Sequence, residues 1–167
     1  MVSNANVKLN KNGLFLYSPL MGSADFWMQM MEEDGSYYDI MYARAYSFLK
    51  KVELRVGSGN TAPTLDDYCL GNQINSLTKV NETVFPDLSN TGHKSYGYFT
   101  AVTSFAATYR NDTNSAITVN EIGVFYYNGS PVTSYGDNKW IMFARGVLDA
   151  PVEIAPGETY TFSITVD

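Results

Sequence analysis

The chain has 167 residues and a formal net charge of −6, and only 17% of its residues are charged. This length suits one domain, or one domain with an N-terminal extension, and a core of that size needs no metal or disulfide. The acidic balance argues against nucleic-acid binding, which depends on neutralised phosphates. Cys69 is the single cysteine, so no intrachain disulfide can form. The sequence lacks an apolar run of about 20 residues, so we expect no membrane-spanning helix, and residues 1–10 lack the apolar core of a signal peptide.

The first fifty residues combine a polar start with a methionine-rich segment. Residues 1–13 are Asn-rich and indicate a flexible arm or a first short strand. Ser23 would cap a short helix over residues 26–31, but Asp-Gly at 34–35 between two apolar, aromatic runs is typical of a hairpin, which we favour. The methionines either fill the core, their usual role, or form an adaptable contact surface. The candidate contact residues are Trp27, Met28, Met30, Met31, Tyr37 and Tyr38.

A strand followed by a long turn occupies residues 52–74. Residues 52–56 alternate apolar and charged side chains, which predicts a strand with one buried face. We expect the glycines that follow to let the backbone adopt positive φ and leave the strand sharply. An aspartate then holds the turn, and Asp66 is the candidate to cap residues 61–64. The predicted structural turn comprises Gly57, Gly59, Pro63, Asp66 and Asp67.

The last seventy residues have the pattern of antiparallel β-structure. Apolar residues alternate at 98–109 and 160–166, and residues 140–148 are apolar on both parities, which predicts a central strand. The apolar parity switches within 117–127, which predicts a β-bulge near Asn120 and Glu121. Turns are expected at residues 111–115 and 155–158. Another strand is expected within residues 78–85.

These patterns predict an all-β fold, an antiparallel β-sandwich of jelly-roll or Ig-like type, with an N-terminal extension or hairpin. We divide the chain into an N-terminal arm and hairpin, residues 1–51, which forms contacts, and a β-sandwich, residues 52–167. The whole is expected to form a single compact domain.

The candidate ligand-binding and catalytic motifs in the sequence lack the context that their chemistry needs. Residues 57–62 match a relaxed dinucleotide-binding pattern, but Pro63 stands where the phosphate-binding helix must begin. The Cys69 and His93 pair has no supporting motif, and one His with one Cys makes a poor zinc site. Calcium bound by loop carboxylates such as Asp66 is an open alternative. We therefore predict no catalytic residues, no cofactor and no metal. Cys69 is expected to be a small buried side chain.

Three segments form an ordered set of motifs. They are L-R-V-G-S-G-N-T-A-P-T-L-D-D-Y-C-L at 54–70, V-N-E-I-G-V-F at 119–125, and F-A-R-G-V-L at 143–148, which runs into Pro-Gly-Glu at 156–158 and a last Thr-rich strand. Together they resemble a loose group of small virion proteins of tailed bacteriophages. The resemblance covers residues 52–167 and implies a β-sandwich in the particle, in head decoration, head fibre, neck or tail. Cys69 and the methionine-rich segment are not part of that pattern.

The resemblance and the composition together predict a non-enzymatic structural component of a virion, assembled in the bacterial host cytoplasm. Its expected partners are other virion proteins and copies of itself, with no nucleic acid and no membrane. The low charge and the aromatic and Met content favour this, because interface cores share that composition. The alternative is a carbohydrate-binding β-sandwich for host attachment that stacks Trp27 or Trp140 on sugar rings, although core packing is the usual role for Trp140. A glycan hydrolase is the third hypothesis.

Overall fold

The computed structural model describes the backbone of residues 2–5, 8–9, 27–31, 35, 37–41, 52–83, 103–128 and 139–166. Side chains are described for residues 35, 53–82, 106–125 and 140–164. All regular structure in these residues is β. The strands are β1 (Val2–Ala5), β2 (Lys8–Leu9), β3 (Trp27–Met31), β4 (Tyr37–Met41), β5 (Val52–Gly57), β6 (Thr78–Thr83), β7 (Thr103–Arg110), β8 (Ile117–Asn128), β9 (Lys139–Ile154) and β10 (Thr159–Val166).

The strands form two four-stranded sheets and one separate pair. Sheet I has the order β1-β10-β7-β6 and sheet II the order β2-β9-β8-β5. Within each sheet the three long strands pair antiparallel, and a short N-terminal strand adds at one edge, parallel for β1 and antiparallel for β2. The prediction of an all-β, antiparallel chain is confirmed. Within the described residues there is no helix of the length and apolar character needed to cross a membrane.

The N-terminal hairpin is confirmed and the helix alternative over residues 26–31 is wrong. Strands β3 and β4 pair antiparallel from Trp27 opposite Met41 to Met31 opposite Tyr37. Gly35 in the turn has a φ of 82°, a conformation that glycine adopts without strain. All six candidate contact residues lie in these two strands, and their side chains are outside the described set. Residues 1–13 contribute β1 and β2, as the first-strand alternative predicted.

One hydrophobic cluster contains side chains of both sheets. Phe162 and Ile164 of β10 are fully buried, while Thr161 and Ser163 between them are only half-buried, as the alternation in the sequence predicted. Strand β9 is buried on both parities through residues 141–145, because side chains pack on both faces of sheet II there: Ile141 and Phe143 lie in the cluster shared with sheet I, and Met142 packs with Leu70 and Phe125. The buried members of the cluster are Leu54, Val56, Leu77, Ala107, Tyr109, Val119, Ile122, Val124, Ile141, Phe143, Ala144, Leu148, Ile154, Phe162 and Ile164.

The bulge predicted near Asn120 and Glu121 is confirmed by the register of β8 and β9. Val119 pairs with Val152, whereas Glu121 pairs with Val147. One residue of β8 therefore faces residues 148–151 of β9, so the longer insertion lies in β9. Because side chains alternate along a strand, this break lets Val119 and Ile122 share the core while Glu121 points to the opposite face of sheet II.

Candidate functional site

The strongest candidate site lies where residues 58–72 cross the face of sheet II to which Glu121 points. The two ends of this segment are held together by hydrogen bonds from Ser58 N to Asn72 O (2.8 Å) and from Ile74 N to Val56 O (2.9 Å). The Asn72 amide also donates to the Ser58 hydroxyl. A compact segment with adjacent ends that packs on its own side chains is an Ω-loop. We call residues 58–72 the Ω-loop.

Glu121 of β8 lies under the Ω-loop with no exposed surface. Its Oε1 accepts hydrogen bonds from the backbone N–H of Gly59 (3.0 Å) and of Asn72 (2.9 Å). Its Oε2 accepts from the N–H of Gly71 (3.1 Å) and from Arg145 Nε (2.7 Å). The carboxylate therefore ties both limbs of the Ω-loop to sheet II, and four donors of the chain fill its two oxygens.

Arg145 of β9 links this carboxylate to a second one. Only 3% of Arg145 is exposed. Its Nη1 donates to Asp67 Oδ2 at 2.9 Å, and its Nη2 lies 2.7 Å from Glu121 Oε2, in an ion pair without hydrogen-bond geometry. Asp67 also accepts from the N–H (2.9 Å) and the hydroxyl (2.8 Å) of Thr64. We call Glu121, Arg145 and Asp67 the ion cluster.

The glycines at the start of the Ω-loop are required for space. A Cβ on Gly57 would overlap Glu121 Oε1, and one on Gly59 would lie 2.6 Å from the same atom. Neither residue has positive φ; the positive-φ glycines among the described residues are Gly35 and Gly157. The expectation that Gly57 and Gly59 bend the chain through positive φ is therefore wrong. They are glycines because a buried carboxylate occupies the volume of their side chains.

All three groups of the ion cluster are held in their charged forms. Burial by itself raises the pKa of Glu121, but hydrogen bonds from the Asn72 backbone, Arg145 and the Gly71 backbone outweigh it, so its pKa lies below the ordinary value. The pKa of Asp67 is lowered in the same way, against its burial, by hydrogen bonds from Thr64 and Arg145. The pKa of Arg145 is raised, against its burial, by Asp67 and Glu121. The cluster thus combines one cation with two anions at neutral pH.

An apolar and cationic patch adjoins the ion cluster on the same face of sheet II. Leu70 of the Ω-loop packs with buried Phe125 and Met142, and half-buried Trp140 packs against them. The Arg55 guanidinium lies 4.4 Å from the ring centroid of Phe125 and 4.8 Å from that of Trp140. The Ω-loop therefore covers apolar surface as well as charge, and sheet II is buried on both faces here.

No protein family, curated protein or solved structure matches this chain. The three motif segments at 54–70, 119–125 and 143–148 meet at one place. The Ω-loop supplies the backbone donors and Asp67, the second segment supplies Glu121, and the third supplies Arg145. What unites these segments in the structure is therefore the ion cluster.

The residues predicted for the structural turn lie in or beside the Ω-loop. Gly57 and Gly59 contact Glu121, Pro63 is half-buried, and Asp66 is exposed. The amide of Thr64, for which Asp66 was the expected cap, donates to Asp67.

Cys69 is half-buried, whereas a buried side chain was expected. His93 lies outside the described residues. Within the described part of the chain, no group of three or more His, Cys, Asp or Glu side chains is placed to hold a metal.

Sequence reasoning missed Glu121 and Arg145 as parts of the site. Both lie within the motifs at 119–125 and 143–148, but those motifs by themselves indicate no role for either residue. A signal was present, since each is a lone charge inside an apolar strand, and a buried charge requires a partner. The sequence does not show which residue is the partner, because Arg145 lies 24 positions from Glu121 and 78 positions from Asp67 along the chain.

Proposed function

We propose that the chain is a non-enzymatic structural component of a tailed-bacteriophage virion, in capsid decoration, head fibre, neck or tail. It acts through protein–protein contacts with other virion proteins and with copies of itself, and it assembles in the host cytoplasm. The ordered set of motifs at 54–70, 119–125 and 143–148 supports this assignment. The observation that carries the non-enzymatic part is the way in which the Glu121 carboxylate is used.

The hydrogen-bonding capacity of Glu121 is directed into the chain. A general acid or base needs a lone pair or proton that a substrate can reach, and a pKa near the working pH. Glu121 is fully buried, accepts from four internal donors, and has a lowered pKa. This arrangement fixes the position of the Ω-loop and favours a scaffold over a reaction centre.

We further propose that sheets I and II form a β-sandwich of jelly-roll or Ig-like type. Two contacts between the sheets support this arrangement. The Tyr109 hydroxyl of β7 donates to the Leu54 carbonyl of β5, and Glu82 Oε1 of β6 accepts from the Leu54 N–H at 2.8 Å. The shared hydrophobic cluster is made of side chains from both sheets, as in the core of a sandwich.

The decisive experiment is to measure the copy number of the chain in purified particles of the virus that encodes it. Quantitative mass spectrometry of gradient-purified particles is expected to give a fixed ratio of the chain to the major capsid or tail protein, with a copy number that fits the symmetry of the particle. Immunogold labelling then assigns it to head, neck or tail. Absence from particles that otherwise assemble normally would rule the proposal out.

A carbohydrate-binding role is the second candidate, and the patch around Trp140 favours it. Trp140 is half-buried, and Arg55 beside it hydrogen-bonds the side chains of Gln73 (3.4 Å) and Glu53 (3.5 Å). Aromatic rings beside polar side chains suit sugar recognition. The test is acrylamide quenching of Trp140 fluorescence in a Trp27→Phe variant, with and without host-surface glycans. An inaccessible Trp140 that no glycan protects further would eliminate this candidate.

A further inference from the structure

We propose that the Ω-loop is a lid that opens as one unit when the pH falls, while sheets I and II stay folded. The trigger is protonation of the carboxylates that hold the loop closed, Asp67 and Glu121. Opening uncovers the apolar surface of sheet II on which Leu70 packs. The device lies within a single chain and goes beyond the proposed structural role, so either can fail without the other.

The Ω-loop contributes little to the hydrophobic interior. Leu70 is the one buried residue among residues 58–72, and the others are half-buried or exposed. It packs with Phe125 and Met142, in a cluster separate from the one that the two sheets share. A segment with few buried apolar contacts opens at a lower free energy than the strands beneath it. The loop can therefore detach while the shared cluster stays packed.

The ends of the loop are held by bonds that do not titrate. Ser58 N donates to Asn72 O and Ile74 N donates to Val56 O, next to the bridge between Gly57 and Gln73. These are backbone hydrogen bonds, so protonation of the ion cluster leaves them in place. They fix the two points about which the middle of the loop moves.

The charges of the ion cluster divide between the loop and the sheet. Glu121 and Arg145 lie on the paired strands β8 and β9, and Arg145 Nε donates to Glu121 Oε2 at 2.7 Å. Asp67 is the member that belongs to the loop. Breaking a buried ion pair is costly because it leaves a charge without compensation. Opening avoids that cost, since Glu121 and Arg145 remain paired on the sheet when Asp67 leaves.

The groups around this contact identify which charges change with pH. Among the described residues, Arg145 faces both carboxylates, the exposed Asp66 adjoins Asp67, and the Arg55 guanidinium lies beside the Phe125 ring. Tyr68 and Cys69 of the loop carry no charge at acidic pH. Acidification therefore acts on this contact through its carboxylates.

The direction of the pH effect follows from the closed state. The pKa values of Asp67 and Glu121 lie below their ordinary values there, because hydrogen bonds outweigh burial. Opening takes Asp67 away from Arg145, although Thr64 moves with it, and takes the Asn72 and Gly71 amides away from Glu121. Both pKa values are therefore higher in the open state. Closure is favoured fully above a pH of about 4 and is lost as the pH falls through the closed-state values.

Hydrogen exchange of single amides in the purified chain, corrected for intrinsic rates, tests the lid. The N–H groups of Gly59, Gly71 and Asn72 donate to Glu121 and report closure. The amides of the buried β8 residues Ile122 and Val124 report the sheet. Between pH 5 and pH 3 we expect the loop amides to lose protection about tenfold or more while the strand amides keep theirs. Equal losses in both sets overturn the proposal.

Acrylamide quenching of Trp140 in a Trp27→Phe variant shows whether the apolar surface is uncovered. Trp140 packs against the cluster that contains Leu70, so its quenching constant is expected to rise over the same pH range as the loop amides lose protection. Loop amides that exchange without any rise in quenching would show that hydrogen bonds loosen under a closed loop, and the lid would be wrong.

Asp67→Asn removes the titrating group that moves with the loop and keeps its size. A neutral amide binds Arg145 more weakly than a carboxylate, so the protection of the loop amides at pH 6 is expected to fall about tenfold. Asp112→Asn is the matched control, because it makes the same charge change in an exposed ion pair outside the Ω-loop and should leave loop protection unchanged.

Two results with Asp67→Asn overturn the proposal. Loop protection equal to that of the wild type shows that Asp67 does not hold the lid. Equal losses at the loop amides and at Ile122 and Val124 show that the whole chain opens instead of the loop. None of these measurements uses virus particles, so they are independent of the copy number that tests the virion role.

Discussion

Glu121 shows how a single buried carboxylate sets the identity of residues far from it in sequence. Its oxygens occupy the space beside Gly57 and Gly59, and its charge is balanced by Arg145. Removing one member of such a cluster leaves the others buried without compensation, which costs about 3–5 kcal/mol in comparable buried pairs. The Glu121 side chain thus determines which residues are tolerated at the positions that contact it.

Gly59→Ala is expected to destabilise the fold much more than Gly71→Ala. A Cβ on Gly59 would lie 2.6 Å from Glu121 Oε1, which must shift and weaken its hydrogen bonds. A Cβ on Gly71 meets its nearest atoms at 3.5–3.6 Å, an ordinary contact. We expect a loss of about 3 kcal/mol for Gly59→Ala and under about 1 kcal/mol for Gly71→Ala, measured by urea unfolding. Similar losses for both variants would contradict the steric explanation.

The acid stability of the protein is expected to depend on the ion cluster. The folded-state pKa values of Glu121 and Asp67 lie below their ordinary values. Their contribution is therefore complete above the ordinary carboxyl pKa of about 4, and it is lost as the pH falls through the lower folded-state values. Urea midpoints should stay constant from pH 7 to pH 5 and decrease below pH 4.

Glu121→Gln is the control for this pH dependence. Glutamine does not titrate, so the variant is less stable at pH 7 and loses less stability between pH 5 and pH 3 than the wild type. Parallel pH profiles for the two proteins would show that other carboxylates carry the acid sensitivity.

At the scale of elements, two turns are joined by one buried side chain, that of Asn111. Asn111, which is fully buried, donates from Nδ2 to the carbonyls of Ser115 and Ile154, both at 2.8 Å. Its Oδ1 accepts from the N–H (3.0 Å) and hydroxyl (2.7 Å) of Thr113. The turns predicted at 111–115 and 155–158 are confirmed, and Asn111 fastens them together.

The second turn has the geometry that its sequence requires. Glu158 N donates to Ala155 O at 3.0 Å, and Gly157 has a φ of 80°. Proline at the second position and glycine at the third are typical of a type II turn. The Gly157 N–H then donates to the Asn111 carbonyl at 2.7 Å. The residues of the turn themselves determine its conformation, while the hydrogen bond to Asn111, just after β7, fixes its position.

Asn111→Ala is expected to lower the free energy of unfolding by about 3 kcal/mol. The change removes all four hydrogen bonds of a fully buried side chain, and the buried Ile154 carbonyl loses the Asn111 donor; each buried group left unsatisfied costs about 1–3 kcal/mol. The neighbouring Asp112→Ala is the control, because it removes only exposed contacts, an ion pair with Arg110 and a hydrogen bond with Thr78, and should leave the urea midpoint nearly unchanged. Equal effects of the two substitutions would show that the hydrogen bonds of the Asn111 side chain contribute little to stability.

At the scale of the whole molecule, the first nine residues complete the edges of both sheets. Strand β1 pairs with β10 over Thr161 to Ile164, and β2 pairs with Arg145 and Ala144 of β9. Those two β9 residues are at most 3% exposed, so the edge that β2 covers borders the buried interior. At the opposite edges, Lys79 of β6 pairs with Glu53 of β5 at 2.7 Å, and charged side chains there discourage pairing with other chains.

Deletion of residues 1–9 is expected to destabilise the protein and promote association. The deletion leaves backbone N–H and C=O groups of β9 and β10 without partners, and unpaired strand edges pair with other chains. We expect the thermal midpoint to fall by about 5 °C or more, with larger species in light scattering. Lys8→Ala in the full-length chain keeps the backbone and is the control. A truncated protein that stays monomeric with an unchanged midpoint would show that the edges are dispensable.

By itself the sequence determined the class of fold and much of its local structure. Alternation of apolar residues predicted β10, the parity switch predicted the bulge at Asn120, and Asp-Gly predicted the hairpin between β3 and β4. These signals are local, since side-chain period and turn chemistry depend on neighbouring residues. Pairing order and register depend on distant segments, so the sequence left them open.

Only the tertiary structure showed which contacts the residues of the Ω-loop make and why Gly57 and Gly59 are glycines. In sequence Gly57 and Gly59 suggested backbone freedom, and Asp66 suggested a cap. In the structure the glycines make room for Glu121, and Asp67 caps Thr64 while it binds Arg145. The physical reason is that steric space and charge balance are set by residues from β8 and β9, which local pattern cannot place beside the loop.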